Sequence, residues 1–135
     1  AFEGEFCSFP SVRSYPKPIQ KPHPPIIFGG ESEPALKRAG EVGDGWFGMN
    51  IPVEAAKPKI DKVKDYARAV GRNPDALQFS VCPGMDAPLA PDDLKRLQDA
   101  GVHQIIVGAF PADLQAVKED IGKLAEQIVA PVANL

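Results

Sequence analysis

Short apolar runs alternate with amphipathic helical stretches from residue 25 onward, and this alternation constrains the fold more than any other feature. The apolar runs are PIIFG, DGWFGM, LQFSVC and HQIIVGAF, at residues 25–29, 44–49, 77–82 and 103–110. The first of them has the pattern of a fully buried strand. After each run, apolar residues recur at helical spacing, and a glycine stops each of the first three helical stretches. Four consecutive strand–helix units predict a parallel sheet, because each helix returns the chain across one face of that sheet.

Two α/β architectures satisfy this alternation, and the pattern of residues leaves both open. One is an open, doubly wound sheet with helices on both faces, and the other is half of a (β/α)8 TIM barrel. A half barrel would expose two strand edges and an apolar inner face. It would therefore have to pair with a second copy, as a homodimer, or with a missing N-terminal half.

The first 24 residues differ in composition from the remainder of the chain. Six of the 15 prolines fall within the first 25 residues. Proline donates no backbone hydrogen bond and fixes its own φ, so we expect an extended, irregular arm over residues 1–24. The strand–helix alternation then predicts a (βα)4 domain, the half barrel, over residues 25–135. Phe6, Phe9 and Tyr15 favour an arm that lies over a surface rather than a free tail, because their rings need cover.

Composition and charge exclude several classes of partner. A net charge of -3 gives no electrostatic reason to expect nucleic acid or an anionic membrane. No apolar stretch approaches the roughly 20 residues that span a bilayer, and no charged-then-apolar leader is present. We therefore expect a cytoplasmic protein in which Cys7 and Cys82 are reduced. The first residue is Ala1 rather than methionine, so we also expect a processed or truncated piece of something longer.

The turn after the first predicted strand is the most informative candidate site. Ligands of parallel α/β folds bind beyond the carboxyl ends of the strands. Gly29 and Gly30 let the backbone approach a ligand closely, and the next helix points its N–H groups at the same place. Ser32 can cap that helix or donate its hydroxyl to a phosphate oxygen. The Gly29-Gly30-Glu31-Ser32 segment is therefore either a small phosphate cradle or a tight turn with a serine cap.

The remaining candidates support no complete catalytic site, and no catalytic residue can be named. Trp46 either walls a substrate pocket or lies in the core. We expect Asp44, between two glycines, to fix a turn by accepting hydrogen bonds from local backbone N–H groups. His23 and His103 have no acid or cysteine at metal-ligand spacing, so we predict no metal site. The charged run KIDKVKDYAR, at residues 59–68, is typical of a solvated helix face, with Asp61 and Asp65 spaced to pair with neighbouring lysine or arginine side chains.

The segment PKPIQKPHPPIIFGGESEPALKRAGEVGDGWFG resembles the central signature of the bacterial luciferase-like monooxygenase family, particularly its deazaflavin-dependent oxidoreductases. The resemblance covers residue 14 to about residue 110 and is carried by the order and spacing of its motifs. Those motifs are Pro24-Pro25-Ile26, Gly29-Gly30, the run from Ala39 to Trp46, and Gly71-Arg72-Asn73-Pro74.

The resemblance implies a (β/α)8 barrel of which this chain is strands five to eight. It also implies that Gly29, Gly30, Glu31 and Ser32 bind the phosphate of FMN or of the deazaflavin coenzyme F-420, and that the substrate is a small organic molecule. The family's first four strands supply much of the isoalloxazine pocket, and nothing here matches them. We therefore expect a cofactor-phosphate half without a complete catalytic centre. The alternatives are a self-associating, non-catalytic half barrel that binds a phosphate ligand, and an independent open α/β binding domain.

Overall fold

An exposed arm precedes the sheet in the computed structural model, which describes residues 1–84, 89–109 and 111–133. Strands β1 (Phe2–Glu3) and β2 (Ser8–Phe9) pair as an antiparallel hairpin, in which the rings of Phe2 and Phe9 stack with centroids 5.7 Å apart. All residues up to Pro25 are exposed, and Phe6 retains 93% of its surface. Apart from this unpredicted hairpin, the described residues before β3 form no strand or helix, and the aromatic rings of this segment are not covered by the described part of the chain.

The predicted alternation of strands and helices is confirmed. The elements that follow the arm are β3 (Ile27–Gly29), α1 (Glu33–Val42), β4 (Gly45–Met49), α2 (Val53–Ala69), β5 (Gln78–Cys82), α3 (Pro91–Asp99) and β6 (Gln104–Ile105). A 3-10 turn at Pro74–Ala76 precedes β5. Helix α4 (Leu114–Leu124) continues through a π-helical turn (Ala125–Val129) into α5 (Ala130–Val132).

The sheet has the layout of part of a barrel. Its four strands are parallel and lie side by side in sequence order, β3-β4-β5-β6. Phe28, Trp46 and Phe79 are cross-strand partners and share one face, which packs against α1 and α2. A doubly wound sheet reverses its strand order and is covered on both faces, whereas a barrel keeps sequential order and places its helices outside. The fold is therefore α/β in the form of a partial barrel.

The opposite face of the sheet carries apolar side chains that are only partly covered. Ile27 in β3 and Met49 in β4 retain 38% and 50% of their surface. We expected the first strand to be fully buried, and this expectation is wrong, because β3 is an edge of the described sheet. In a closed barrel this face would line the interior.

Two of the family motifs fix how α1 sits on its neighbours. A Cβ atom on Gly40 would lie 2.5 Å from the carbonyl oxygen of Val63, so only glycine allows α1 to approach α2 this closely. The Arg72 guanidinium donates to the carbonyl oxygens of Gly40 and Gly43, at 2.5 and 2.6 Å, where α1 ends. These carbonyls lack helical partners, and a cation is favourable at that end of a helix.

The C-terminal part of the chain departs most from expectation. We predicted a strand over residues 103–110, but β6 is only Gln104–Ile105, and Phe110 lies outside the described residues. The predicted apolar stripe of the last helix is only partly buried, since Leu114 and Ile121 are exposed and the helix packs on α3 mainly through its π-helical turn. None of the helices in the described ranges is long and apolar enough to cross a membrane.

Candidate functional site

The backbone between β3 and α1 is held in a conformation that requires glycine. Gly30 has φ +103, in the left-handed region that other residues rarely adopt, and a Cβ atom there would lie 3.1 Å from the Cβ of Ala35. The indole Nε1–H of Trp46 donates to the carbonyl oxygen of Gly30 at 2.7 Å. The neighbouring strand β4 therefore pins this carbonyl from the core side of the turn.

Ser32 occupies the N-cap position of α1 without using its side chain as a cap. Its backbone is extended, with φ -66 and ψ 151, and its carbonyl oxygen accepts hydrogen bonds from the N–H groups of Ala35 and Leu36 at 2.9 and 3.0 Å. Its side chain makes no capping hydrogen bond. Two roles were predicted for Ser32, capping the helix or donating its hydroxyl to a ligand. The capping bond is not present, so the hydroxyl is available to a ligand.

Four consecutive backbone N–H groups of the same turn have no acceptor within the described residues. No described residue accepts a hydrogen bond from the N–H groups of Gly30, Glu31, Ser32 or Glu33. The next residue, Pro34, has no N–H to offer. These groups lie at the positive end of the α1 dipole, where backbone donors favour an anion. The turn thus combines free amides, a free hydroxyl and a glycine backbone without a shielding side chain.

Two lysines of α2 engage the two carboxylates of this turn. Lys59 Nζ lies 3.0 Å from Glu31 Oε2, and Lys62 Nζ lies 2.7 Å from Glu33 Oε2. The Tyr66 hydroxyl also donates to Glu33. The hydrogen bonds from Lys62 and Tyr66 hold the pKa of Glu33 below its ordinary value, and the bond to Glu33 raises the pKa of Tyr66.

Sequence reasoning missed these two lysines. It placed them on a solvated helix face, where Asp61 and Asp65 were the expected partners, and Lys57 does pair with Asp61 at 2.9 Å. The spacing of Lys59 and Lys62, three residues apart on one helix, was a usable signal that both point the same way. Their contact with the turn depends on how α2 packs against α1, which no local pattern reveals.

Trp46 contacts the turn from inside the core. Its side chain is 0% exposed and belongs to the cluster between the sheet and the helices. In the described part of the chain it has no surface with which to contact a substrate, so its role as a pocket wall stays a prediction. What the structure assigns to it is the hydrogen bond that orients Gly30.

Asp44 and the two histidines have structural partners. Asp44 accepts a hydrogen bond from the N–H of Ile26 at 2.8 Å, so it joins the start of β3 to the start of β4 instead of fixing a local turn as predicted. His23 Nδ1 lies 3.6 Å from the Asp44 carboxylate. The ring of His103 accepts a hydrogen bond through Nδ1 from the N–H of Phe79 at 3.0 Å. Within residues 1–84, 89–109 and 111–133, no cluster of histidine, cysteine and acidic side chains could hold a metal ion.

Comparison with known proteins decides the family. The sequence profile described as luciferase-like monooxygenase matches residues 1–132, which is nearly the whole chain. The chain belongs to the luciferase-like monooxygenase family. The resemblance identified from the proline-rich lead-in, the double glycine and the GDGW run is thereby confirmed.

Two curated relatives and one solved structure illustrate the range of similar proteins. The FMNH(2)-dependent dimethylsulfone monooxygenase of Pseudomonas putida is 32% identical over 111 residues, which is 82% of this chain and 29% of that protein. An uncharacterized protein of Mycobacterium tuberculosis is 30% identical over 140 residues, covering 97% of this chain and 46% of that protein. The coenzyme F420 dependent tetrahydromethanopterin reductase from Methanopyrus kandleri matches in structure with a TM-score of 0.59 and 13% identity, over 78% of this chain and 50% of that chain.

These comparisons also show how much of its relatives the chain covers. It spans between 29% and 46% of the length of these curated relatives. The structural match, at 13% identity, supports the shared fold alone. Family membership and the partial-barrel fold are therefore established, and the activity of a whole protein is a matter for proposal.

Proposed function

We propose that this chain is the cofactor-phosphate-binding half of a luciferase-like oxidoreductase or monooxygenase that uses FMN or coenzyme F-420. The observation that carries the proposal is the turn from Gly29 to Ser32, where no described residue accepts from the N–H groups of Gly30, Glu31 and Ser32 and the serine hydroxyl does not cap the helix. The names of two similar proteins, one FMNH(2)-dependent and one coenzyme F420 dependent, support a cofactor of this class.

The residues of the turn fit a phosphate group. The N–H groups of Gly30, Glu31 and Ser32 would donate to its oxygens, and the Ser32 hydroxyl would add a further donor. Glu31 takes part through its backbone only, because its carboxylate would repel the phosphate and is engaged by Lys59. When bound, the cofactor exchanges a hydride with an organic substrate or, as a reduced flavin, activates oxygen. This chain supplies the anchor that orients the cofactor.

The partly covered inner face of the sheet supports a second element of the proposal. Ile27, Met49 and Ile106 are exposed on the described chain, although apolar side chains of a barrel interior are normally buried. We propose that a N-terminal half barrel covers this face and completes the substrate site for a small organic molecule. The other candidate, a non-catalytic half barrel that self-associates, uses the same face as a homodimer interface. A cytoplasmic location belongs to the same proposal.

Titration of the purified chain with FMN, coenzyme F-420 and riboflavin tests the phosphate site. Riboflavin carries the same ring as FMN without the phosphate, so it is a matched control ligand. We expect saturable binding of FMN or F-420, measured by flavin or deazaflavin fluorescence, and no binding of riboflavin at the same concentrations. Equal binding of riboflavin and FMN would remove the phosphate role from the turn.

Sedimentation velocity separates the two uses of the inner face. A self-associating half barrel is dimeric or larger at low micromolar concentration. A half barrel that belongs to a longer protein instead binds its N-terminal half and not a second copy of itself. A compact, stable monomer would contradict self-association. An independent binding domain is the least favoured option, because α1 and α2 cover the same face of the sheet.

A further inference from the structure

Both carboxylates that flank Ser32 are engaged by cations on the neighbouring helix. Glu31 precedes Ser32 and pairs with Lys59 at 3.0 Å, while Glu33 follows it and pairs with Lys62 at 2.7 Å. The two lysines lie three residues apart on α2, and therefore on one side of that helix. Glu33 receives a second hydrogen bond, from the Tyr66 hydroxyl.

This arrangement resolves an electrostatic conflict at the turn. Carboxylates near a helix N-terminus normally interact with the free N–H groups there, and they repel any other anion. Glu31 and Glu33 together would place two negative charges beside a site that must accept a phosphate. With the lysines in place, the local charge is balanced, and each carboxylate has a partner other than the amides of the turn.

We propose that Lys59 and Lys62 are positioning residues for cofactor binding, which act by keeping the carboxylates of Glu31 and Glu33 off the amides of the turn. The inference rests on the proposed function, because it concerns the same phosphate site. Lys59 is the more decisive of the two, since its side chain is only 24% exposed and no described residue gives Glu31 a second partner of the kind that Tyr66 provides for Glu33.

The test compares lysine variants by affinity for FMN or coenzyme F-420, whichever the unaltered chain binds. In Lys59→Met, the Glu31 carboxylate is released, and we expect about three- to tenfold weaker binding, which lies within the range for partly buried charges at a helix terminus. Lys57→Met is the matched control, because it removes the same charge from the same helix but breaks only the pair with Asp61. We expect its affinity to stay within about twofold of the unaltered chain.

A double variant distinguishes carboxylate positioning from a structural or direct role of the lysine. In Glu31→Gln/Lys59→Met, the competing charge is gone, so affinity should return to within about twofold of the unaltered chain. Failure of this rescue, or an unchanged affinity in Lys59→Met, would overturn the inference while leaving the proposed function intact. If the unaltered chain binds neither cofactor, the proposed function fails, and the inference fails with it.

Discussion

Replacing Ser32 with alanine separates a ligand-binding serine from a helix-capping one. A capping serine costs about 1 kcal/mol of stability when truncated. Ser32 makes no capping hydrogen bond, so Ser32→Ala should change the free energy of unfolding by less than about 0.5 kcal/mol. The lost hydroxyl, as a donor to a charged phosphate, is worth about 1.5–3 kcal/mol, which corresponds to roughly ten- to hundredfold weaker binding of FMN or F-420.

Urea denaturation and fluorescence titration of the same preparations measure the two quantities. Asn73→Ala is the matched control, because the Asn73 side chain does cap a helical turn by accepting a hydrogen bond from the N–H of Asp75 at 3.0 Å. We expect Asn73→Ala to lose about 1 kcal/mol of stability and to keep its cofactor affinity. The reasoning is refuted if Ser32→Ala behaves like the control, with lower stability and unchanged affinity.

Three further predictions concern the packing and charge around the turn. Arg72→Met should lower the free energy of unfolding by about 2 kcal/mol, because two carbonyls at the end of α1 lose a charged donor, and an equal effect of the exposed Arg68→Met would contradict this. Gly40→Ala should also cost about 2 kcal/mol in urea denaturation, since its Cβ meets the Val63 carbonyl, and a stabilised variant would disprove the close approach. The hydrogen bond to Glu33 raises the pKa of Tyr66 in the folded state. This bond therefore stabilises the fold at any pH below the ordinary tyrosine pKa of about 10, and its contribution is lost as the pH rises through the pKa of Tyr66 in the folded state. In Glu33→Gln, ultraviolet titration should show Tyr66 ionising at lower pH; an unshifted curve would argue against the bond.

The alternation of strands and helices was predictable because periodicity and glycine stops are local properties. The first three strands and the helices after them lie where the apolar pattern places them, within a few residues, whereas β6 covers only two of the eight residues predicted for the fourth strand. The choice between an open sheet and a barrel was not predictable, since it depends on which face of the sheet each helix covers. The hairpin of β1 and β2 was missed because the prolines dominated the interpretation of the arm, although the hairpin lies before the first proline, Pro10.

The candidate site was chosen from the sequence, but the contacts that support its turn were not predictable. The rule that ligands bind at the ends of parallel strands singled out Gly29 to Ser32 from sequence alone. The hydrogen bond from Trp46 to Gly30 and the pair of Lys59 with Glu31 join residues 16 and 28 positions apart. Such contacts follow from the packing of β4 and α2 against the turn, so the spacing of nearby residues in the sequence does not predict them.

A 15N–1H correlation spectrum, recorded while FMN or coenzyme F-420 is added to the labelled chain, reports on the backbone donors of the turn one by one. The amides of Gly30, Glu31, Ser32 and Glu33 should shift together and saturate with the affinity found by fluorescence. Gly71 provides an internal reference, because it also has a positive φ but lies after α2, away from this turn. Saturable shifts confined to the four turn amides would support phosphate binding there, and binding that leaves them unmoved would contradict it.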